Sequence, residues 1–159
     1  FFFYFIINLI NKFPNIIDLA AKLGANITLN PSKNDIQKEV LDLSEGRGAD
    51  VAFEAVGISE TVKTAIDGTR KGGTVTLVGN LSPVVEIPLQ SVVTRELRLQ
   101  GSCGIAGEFP AVLDMIARKE INTSAFLSAE APLSEGAEWF KRLYSKEPGL
   151  IKVVLKPGE

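Results

Sequence analysis

Two glycine-bearing turns are the parts of this sequence best suited to hold a ligand. An apolar run at 51–56 stops at Gly57, and a second run at 74–78 stops at Gly79. A glycine at the carboxyl end of a strand lets a ligand approach the backbone, because no side chain blocks it. A helix that follows such a turn also offers N–H groups and a positive dipole end to a phosphate or a ribose hydroxyl.

A third glycine turn follows another predicted strand. Gly101 and Gly104 flank Ser102 and Cys103, and this turn could face the same crevice as the first two. The alternative for each turn is a purely structural one, in which Gly57 and Gly79 only permit tight connections. Both alternatives stay open at the level of sequence.

Three further side chains have two interpretations each. Glu54 stands among apolar neighbours at a strand end, where it could contact a ligand; a structural hydrogen-bonding role is favoured. Cys103 is expected to be a small buried residue and not a nucleophile, since no histidine is available to activate it. Lys152 is either a solvated lysine or a cation for a pyrophosphate.

Composition excludes several classes of protein. The 159 residues suit one compact domain, and 45% hydrophobic with 23% charged residues is ordinary for a globular protein. With 17 basic and 19 acidic residues mixed along the chain, nucleic acid is a poor candidate partner. One cysteine makes no internal disulfide, so a cytoplasmic location is expected. No membrane partner is expected either.

The absence of histidine restricts the chemistry further. No zinc site can be assembled with confidence from one cysteine and scattered carboxylates. The usual general base and the usual partner of a serine or cysteine nucleophile are missing as well. No catalytic residue is therefore assigned in this chain.

Hydrophobic periodicity predicts an α/β fold with a doubly wound parallel sheet. Strands are predicted at 26–30, 51–56, 74–78, 97–100 and 151–155, and helices at 16–23, 36–43, 58–69, 109–116 and 137–144. The unit at 48–80 reads as strand, helix, strand, and such a unit buries both faces of a parallel sheet.

Several boundaries are also predicted. Pro14 suits the first turn of the first helix, and Asn34 or Ser32 could cap the second. The third helix is expected to be capped by Ser59 and closed by Gly72-Gly73. The segment 81–89, with two prolines, is predicted to be an edge strand or an extended connection.

The first ten residues, FFFYFIINLI, are almost wholly apolar. They are too few to span a bilayer as a helix and lack the basic region of a signal peptide. A buried parallel strand is the favoured interpretation, and a membrane remnant or a truncation artefact is the alternative. Because the chain also starts without Met, a fragment is expected.

Five segments, taken in order, resemble the medium-chain alcohol and polyol dehydrogenases. They are AAKLGAN at 20–26, GADVAFEAVG at 48–57, RKGGTVTLVG at 70–79, RELRLQGS at 95–102 and GLIKVVLKP at 149–157. The resemblance covers 16–157, leaves 1–15 atypical, and is greatest to the zinc-dependent branch. It implies a Rossmann-like sheet, incomplete at its N-terminal edge, in one partial cofactor-binding domain at 1–159, without the GroES-like catalytic domain.

The resemblance also implies site residues and a cofactor. Val56 and Gly57 would lie against the adenosine half of NAD or NADP, with NAD favoured, and Val78 and Gly79 near the nicotinamide ribose. Ser102 and Cys103 would present backbone groups to the carboxamide, and Lys152 would approach the pyrophosphate. The fingerprint GxGxxG is absent from the chain, and so is the acidic ribose partner at the end of the first strand.

The expected function is that of the cofactor-binding portion of an NAD(P)-dependent oxidoreductase acting on an alcohol or polyol. Zinc belongs to the family, but its ligands are not in this chain, so the isolated chain is expected to be inactive and to bind NAD weakly or not at all. The alternatives are the zinc-free quinone reductase branch and a non-catalytic nucleotide-binding or assembly module. The resemblance also implies a homo-oligomer formed through 84–87.

Overall fold

The computed structural model describes residues 8–158, with the side chains described from Ile10 onward. The strands are β1 (Asn8–Ile10), β2 (Ile27–Leu29), β3 (Ala49–Glu54), β4 (Thr69–Leu77), β5 (Arg98–Gly101), β6 (Leu127–Pro132) and β7 (Lys152–Lys156). The α-helices are α1 (Pro14–Lys22), α2 (Ile36–Leu43), α3 (Ser59–Gly68), α4 (Leu89–Thr94), α5 (Phe109–Ala117) and α6 (Gly136–Tyr144). Residues 29–104 form one compact unit, the central unit, and the two ends of the chain form another, the terminal unit.

The central unit is built on a three-stranded parallel sheet in the order β3-β4-β5. Helix α3 connects β3 to its neighbour β4, so the predicted strand-helix-strand unit is confirmed. The pairs Glu54 with Leu77 and Leu77 with Gly101 keep the ends of the three strands in register. This alternation of strands and helices with parallel pairing confirms the α/β fold class.

One face of this sheet carries the core of the central unit. Val62 and Ile66 of α3 pack with Val75 of β4 and with Leu97, and all four are buried. Partly buried residues surround this cluster: Ala52, Ala65, Leu77, Val85, Val92 and Leu99. On β3 the alternate side chains Val51 and Phe53 are 50% and 75% exposed. The expectation that both faces are buried is therefore wrong for β3 within this unit.

The two ends of α3 differ from the sequence prediction. Ile58 is the N-cap residue, and the Ser59 hydroxyl oxygen instead accepts a hydrogen bond from the Glu86 N–H at 2.9 Å. The helix ends at Gly68, while Gly72 and Gly73 belong to β4. Glycine is required inside this strand, because a Cβ on Gly73 would lie 2.5 Å from Cγ2 of Thr69 and 2.9 Å from the Arg70 carbonyl oxygen.

The start of α2 is also corrected by the structure. Asp35 is the N-cap residue, and its carboxylate accepts the Lys38 N–H at 3.1 Å. Asn34, one of the two predicted caps, instead accepts the Asn30 N–H through its side chain at 3.0 Å. Aspartate is the better cap here because its charge also complements the positive end of the helix.

The segment between β4 and β5 contains a helix that the sequence prediction missed. No strand forms at 81–88, which is an extended connection, and α4 follows it directly. Pro88 occupies the N-cap position of α4. The six-residue helix is too short for its periodicity to be read with confidence from the sequence.

Arg95 joins α4 to the C-terminal end of α3. Its guanidinium donates hydrogen bonds to the carbonyl oxygens of Ile66 at 2.7 Å, Thr69 at 3.0 Å and Asp67 at 3.2 Å. These carbonyls include ones left without helical partners where α3 ends, and a cation is favourable at that negative dipole end. Arg95 thereby holds together the helix, the start of β4 and the segment that leads into β5.

Apart from the central sheet, the described strands form two two-stranded sheets, β1-β2 and β6-β7, the second of which is parallel. The predicted positions of α1, α5, α6 and β7 are confirmed within a few residues, and Pro14 does start α1. Strand β6 was not predicted, because its small and charged residues have low strand propensity and pairing with β7 decides its conformation. The strand prediction for the apolar start falls mostly on residues 1–7, outside the described residues.

Within the described part of the chain, no helix combines the length and apolar character that crossing a membrane requires.

We predict that replacing Arg95 with alanine lowers the free energy of unfolding by about 2 kcal/mol, because three carbonyl groups lose a charged donor. Urea denaturation measures the change. Lys71→Ala is the matched control, since Lys71 meets Glu96 only across 3.5 Å at the surface and should contribute less than about 1 kcal/mol. Equal losses in the two variants would contradict this role for Arg95.

Candidate functional site

The register of the central sheet brings three turns to one edge. β3, β4 and β5 end at paired residues, so the turns 55–57, 78–80 and 102–104 all leave the same edge of the sheet. The Val78 N–H donates to the Glu54 carbonyl oxygen at 2.8 Å, and the Ser102 N–H donates to the Leu77 carbonyl oxygen at 3.0 Å. Ligands of parallel sheets bind in crevices at such carboxyl edges.

The first two turns are in direct backbone contact. A Cβ on Gly57 would lie 2.5 Å from the Gly79 carbonyl carbon, and one on Gly79 would overlap the backbone of Val56 and the nitrogen of Gly57. Gly57 also has a φ of +82°, a backbone conformation that residues with a side chain rarely adopt. Both glycines are thus required by the packing of one turn against the other, whatever ligand the edge binds.

Hydrogen bonds continue this contact into the following residues. The Leu81 N–H donates to the Val56 carbonyl oxygen at 3.2 Å, and the Ser82 N–H donates to the Gly57 carbonyl oxygen at 2.9 Å. The chain after β4 therefore runs alongside the turn after β3. Together these bonds fix the relative position of the two turns.

The buried side chain of Glu54 holds the first turn in place through hydrogen bonds. Only 3% of its surface is exposed. Its Oε1 accepts the N–H groups of Val56 and Gly57, both at 2.9 Å, and its Oε2 accepts the Gly57 N–H at 3.0 Å. A buried carboxylate is tolerated because it is satisfied by these charge-assisted bonds. The structural role favoured for Glu54 is confirmed.

The other candidate residues differ in exposure. Val56 and Val78 are 44% and 49% exposed, so their side chains form an apolar rim beside the buried Gly57. Ser102 and Cys103 are both exposed in the third turn. The expectation that Cys103 is buried is wrong, because the residues after β5 leave the sheet instead of packing on it.

Lys152 belongs to the terminal unit, where it begins β7 and is exposed. The remaining six candidate residues are Val56, Gly57, Val78, Gly79, Ser102 and Cys103, and all belong to the central unit. The structure brings these six to one sheet edge. The proposed contact of Lys152 with a pyrophosphate stays a prediction.

The donor groups that the structure describes do not fit a zinc ion. Among residues 8–158, no group of three or more histidine, cysteine, aspartate or glutamate side chains is placed to hold a metal. The sequence has no histidine and a single cysteine. No catalytic step is therefore derived through zinc for this chain.

Comparison with known proteins gives the family. A family model described as zinc-binding dehydrogenase matches residues 7–118. The chain therefore belongs to the zinc-binding dehydrogenase family, and the resemblance to the zinc-type medium-chain alcohol dehydrogenases is confirmed.

Individual relatives agree with this assignment. Sorbitol dehydrogenase from Ovis aries is 31% identical over 140 residues, which are 86% of this chain and 39% of the relative. The structure of 2R,3R-butanediol dehydrogenase from Bacillus subtilis superposes with a TM-score of 0.87 at 28% identity, over 96% of this chain and 44% of that one. The chain thus spans about 40% of the length of the curated relatives that it matches.

A third relative was crystallised with a cofactor. A structure from Sinorhizobium meliloti 1021, described as a zinc-binding dehydrogenase bound to NADP, has a TM-score of 0.82 and 28% identity. The superposed region comprises 94% of this chain and 44% of the relative's chain. These matches confirm the Rossmann-like α/β fold predicted from sequence.

We predict that Gly57→Ala lowers the free energy of unfolding by about 3 kcal/mol, because it adds both a clash with Gly79 and left-handed strain. Gly46→Ala is a matched control, since Gly46 has a φ of +79° and nothing within 4 Å of its added Cβ. That control should lose only about 1–2 kcal/mol. Chemical denaturation measures the free energy of unfolding of both variants. Equal decreases in the two would contradict the close contact between Gly57 and Gly79.

Proposed function

We propose that this chain supplies the nicotinamide-cofactor-binding portion of an oxidoreductase that transfers hydride between an alcohol or polyol and NAD or NADP. The observation that carries the proposal is the edge of the central sheet, where three turns meet in a chain of the zinc-binding dehydrogenase family. Relatives named sorbitol and butanediol dehydrogenase support an alcohol or polyol as the substrate class. We keep NAD as the favoured cofactor, while the NADP-bound relative supports NADP as the alternative.

The site residues divide along the sheet edge. We assign Val56 and Gly57 to the adenosine half of the cofactor and Val78 and Gly79 to the nicotinamide ribose. The exposed turn with Ser102 and Cys103 would offer backbone groups to the carboxamide. The cofactor supplies the hydride chemistry, and the residues of this chain bind and orient it.

We further propose that residues 1–159 act as a single partial Rossmann-type domain and that a GroES-like domain lies outside this sequence. What supports this division is that no cluster of histidine, cysteine or carboxylate side chains among residues 8–158 is placed to hold a metal ion, which is the Lewis acid that would polarise an alcohol oxygen. Binding of the cofactor and turnover of the substrate would then depend on different parts of the protein.

We expect the isolated 159-residue chain to show no oxidation of sorbitol or 2,3-butanediol with either NAD or NADP. Isothermal titration calorimetry should find weak cofactor binding, with a dissociation constant of about 1 mM or higher. The reason is that no GxGxxG turn is present to hold the pyrophosphate. Measurable turnover by the isolated chain would refute the division between cofactor binding and catalysis.

We also propose that the chain forms a homo-oligomer through the connection before α4. Leu81 and Val84 are 74% and 78% exposed there, and Ile87 is 41% exposed. An exposed apolar segment of this kind is typical of an interface.

Size-exclusion chromatography with light scattering should detect a dimer or tetramer. Val84→Lys should shift it towards monomer, because the substitution would bury a charge in the interface. Tyr144→Lys is the control, since Tyr144 is 90% exposed on α6, outside this segment. A monomer at high concentration for the unmodified chain would rule the oligomer out.

A further inference from the structure

The turn after β3 has the geometry of an anion site that is already filled. Successive backbone N–H groups beside a residue with positive φ form a concave cradle that attracts negative charge. Here the N–H groups of Val56 and Gly57 converge, and Gly57 has a φ of +82°. The group at their focus is the carboxylate of Glu54 from the same chain.

The occupied cradle has no capacity left for a second anion. Both N–H groups are used by Glu54, and Gly57 is buried. Gly79 closes the direction in which a Cβ on Gly57 would point. A phosphate in this cradle would therefore meet a buried negative charge and find both N–H groups of the cradle already bonded.

The side chains that flank the contact of the two turns are apolar. Val56 and Val78 present half-exposed apolar side chains on either side of the Gly57–Gly79 contact. Such a rim suits the flat face of a base or the carbon atoms of a ribose, which need no charged partner.

We propose that Glu54 is a positioning and specificity-determining residue that occupies this cradle, so that the turn accepts an uncharged nucleoside and rejects phosphate. The nucleoside part rests on the proposed function. The exclusion of phosphate does not, and the experiment below measures that exclusion without a nucleotide.

The test is a titration of the ¹⁵N-labelled chain with inorganic phosphate, followed through the backbone amide resonances of Val56 and Gly57. In the unmodified chain both resonances should stay unchanged. In Glu54→Ala the vacated N–H groups should respond to phosphate, and their hydrogen exchange should be at least about tenfold faster, because bonds to a charged acceptor are lost.

Two further variants distinguish occupation of the two N–H groups by the side chain at position 54 from the general effect of removing a negative charge. Glu54→Gln keeps a carbonyl oxygen in place of Oε1, so it should restore slow exchange and insensitivity to phosphate. Glu60→Gln removes one negative charge from the exposed first turn of α3, and it should leave both resonances as they are in the unmodified chain.

A phosphate response of Val56 and Gly57 in the unmodified chain would overturn the proposal, as would a folded Glu54→Ala variant that does not respond. If Glu54→Ala does not fold, the unmodified chain and Glu54→Gln decide: silent, protected amides in both support the proposal, and responsive amides in either refute it. Binding of NAD away from this sheet edge would count against the proposed function alone, since the phosphate outcomes require no nucleotide.

Discussion

The contact between Gly57 and Gly79 is the constraint on which the candidate site depends. Two turns that follow neighbouring parallel strands can touch through their backbones only where neither carries a side chain at the point of contact. Glu54 completes the arrangement, because its buried carboxylate holds the N–H groups of the first turn. The shape of the sheet edge is therefore set by backbone atoms and one carboxylate.

The rest of the central unit keeps that edge in place. Helix α3 packs Val62 and Ile66 against Val75 of β4, while the backbone ladder sets the distance between β3 and β4. Arg95 ties the end of this helix to the start of β4, at the edge opposite the glycine turns. Arg95 and Glu54, at the two ends of the sheet, act in the same way. Each uses a charged side chain to form hydrogen bonds with backbone groups that a helix or turn leaves unpaired.

Much of this arrangement could be predicted from the sequence, because it follows from periodicity and from glycines at strand ends. The apolar runs at 51–56 and 74–78 and the helical spacing between them were sufficient to predict the strand-helix-strand unit. The structural role of Glu54 was also predictable, since an acidic residue at an apolar strand end needs partners, and the N–H groups of the following turn are the nearest.

Other features depend on contacts that a sequence does not display. The hydroxyl of Ser59 bonds Glu86, 27 residues further on, instead of capping its own helix. β6 exists because β7 pairs with it, and Cys103 is exposed because the chain turns away from the sheet after β5. The contact between Gly57 and Gly79 depends on the tertiary structure, so the sequence does not show it. Their lack of side chains, which would let a ligand approach, can be read directly from the sequence.

The carboxyl edge of the central sheet is proposed to bind the cofactor. The most direct test is to titrate the ¹⁵N-labelled chain with millimolar NAD and to follow the chemical shifts of its backbone amides. The account predicts that chemical-shift changes cluster in the residues that follow β3, β4 and β5, namely 55–57, 78–80 and 102–104. Changes confined to other parts of the chain would contradict it.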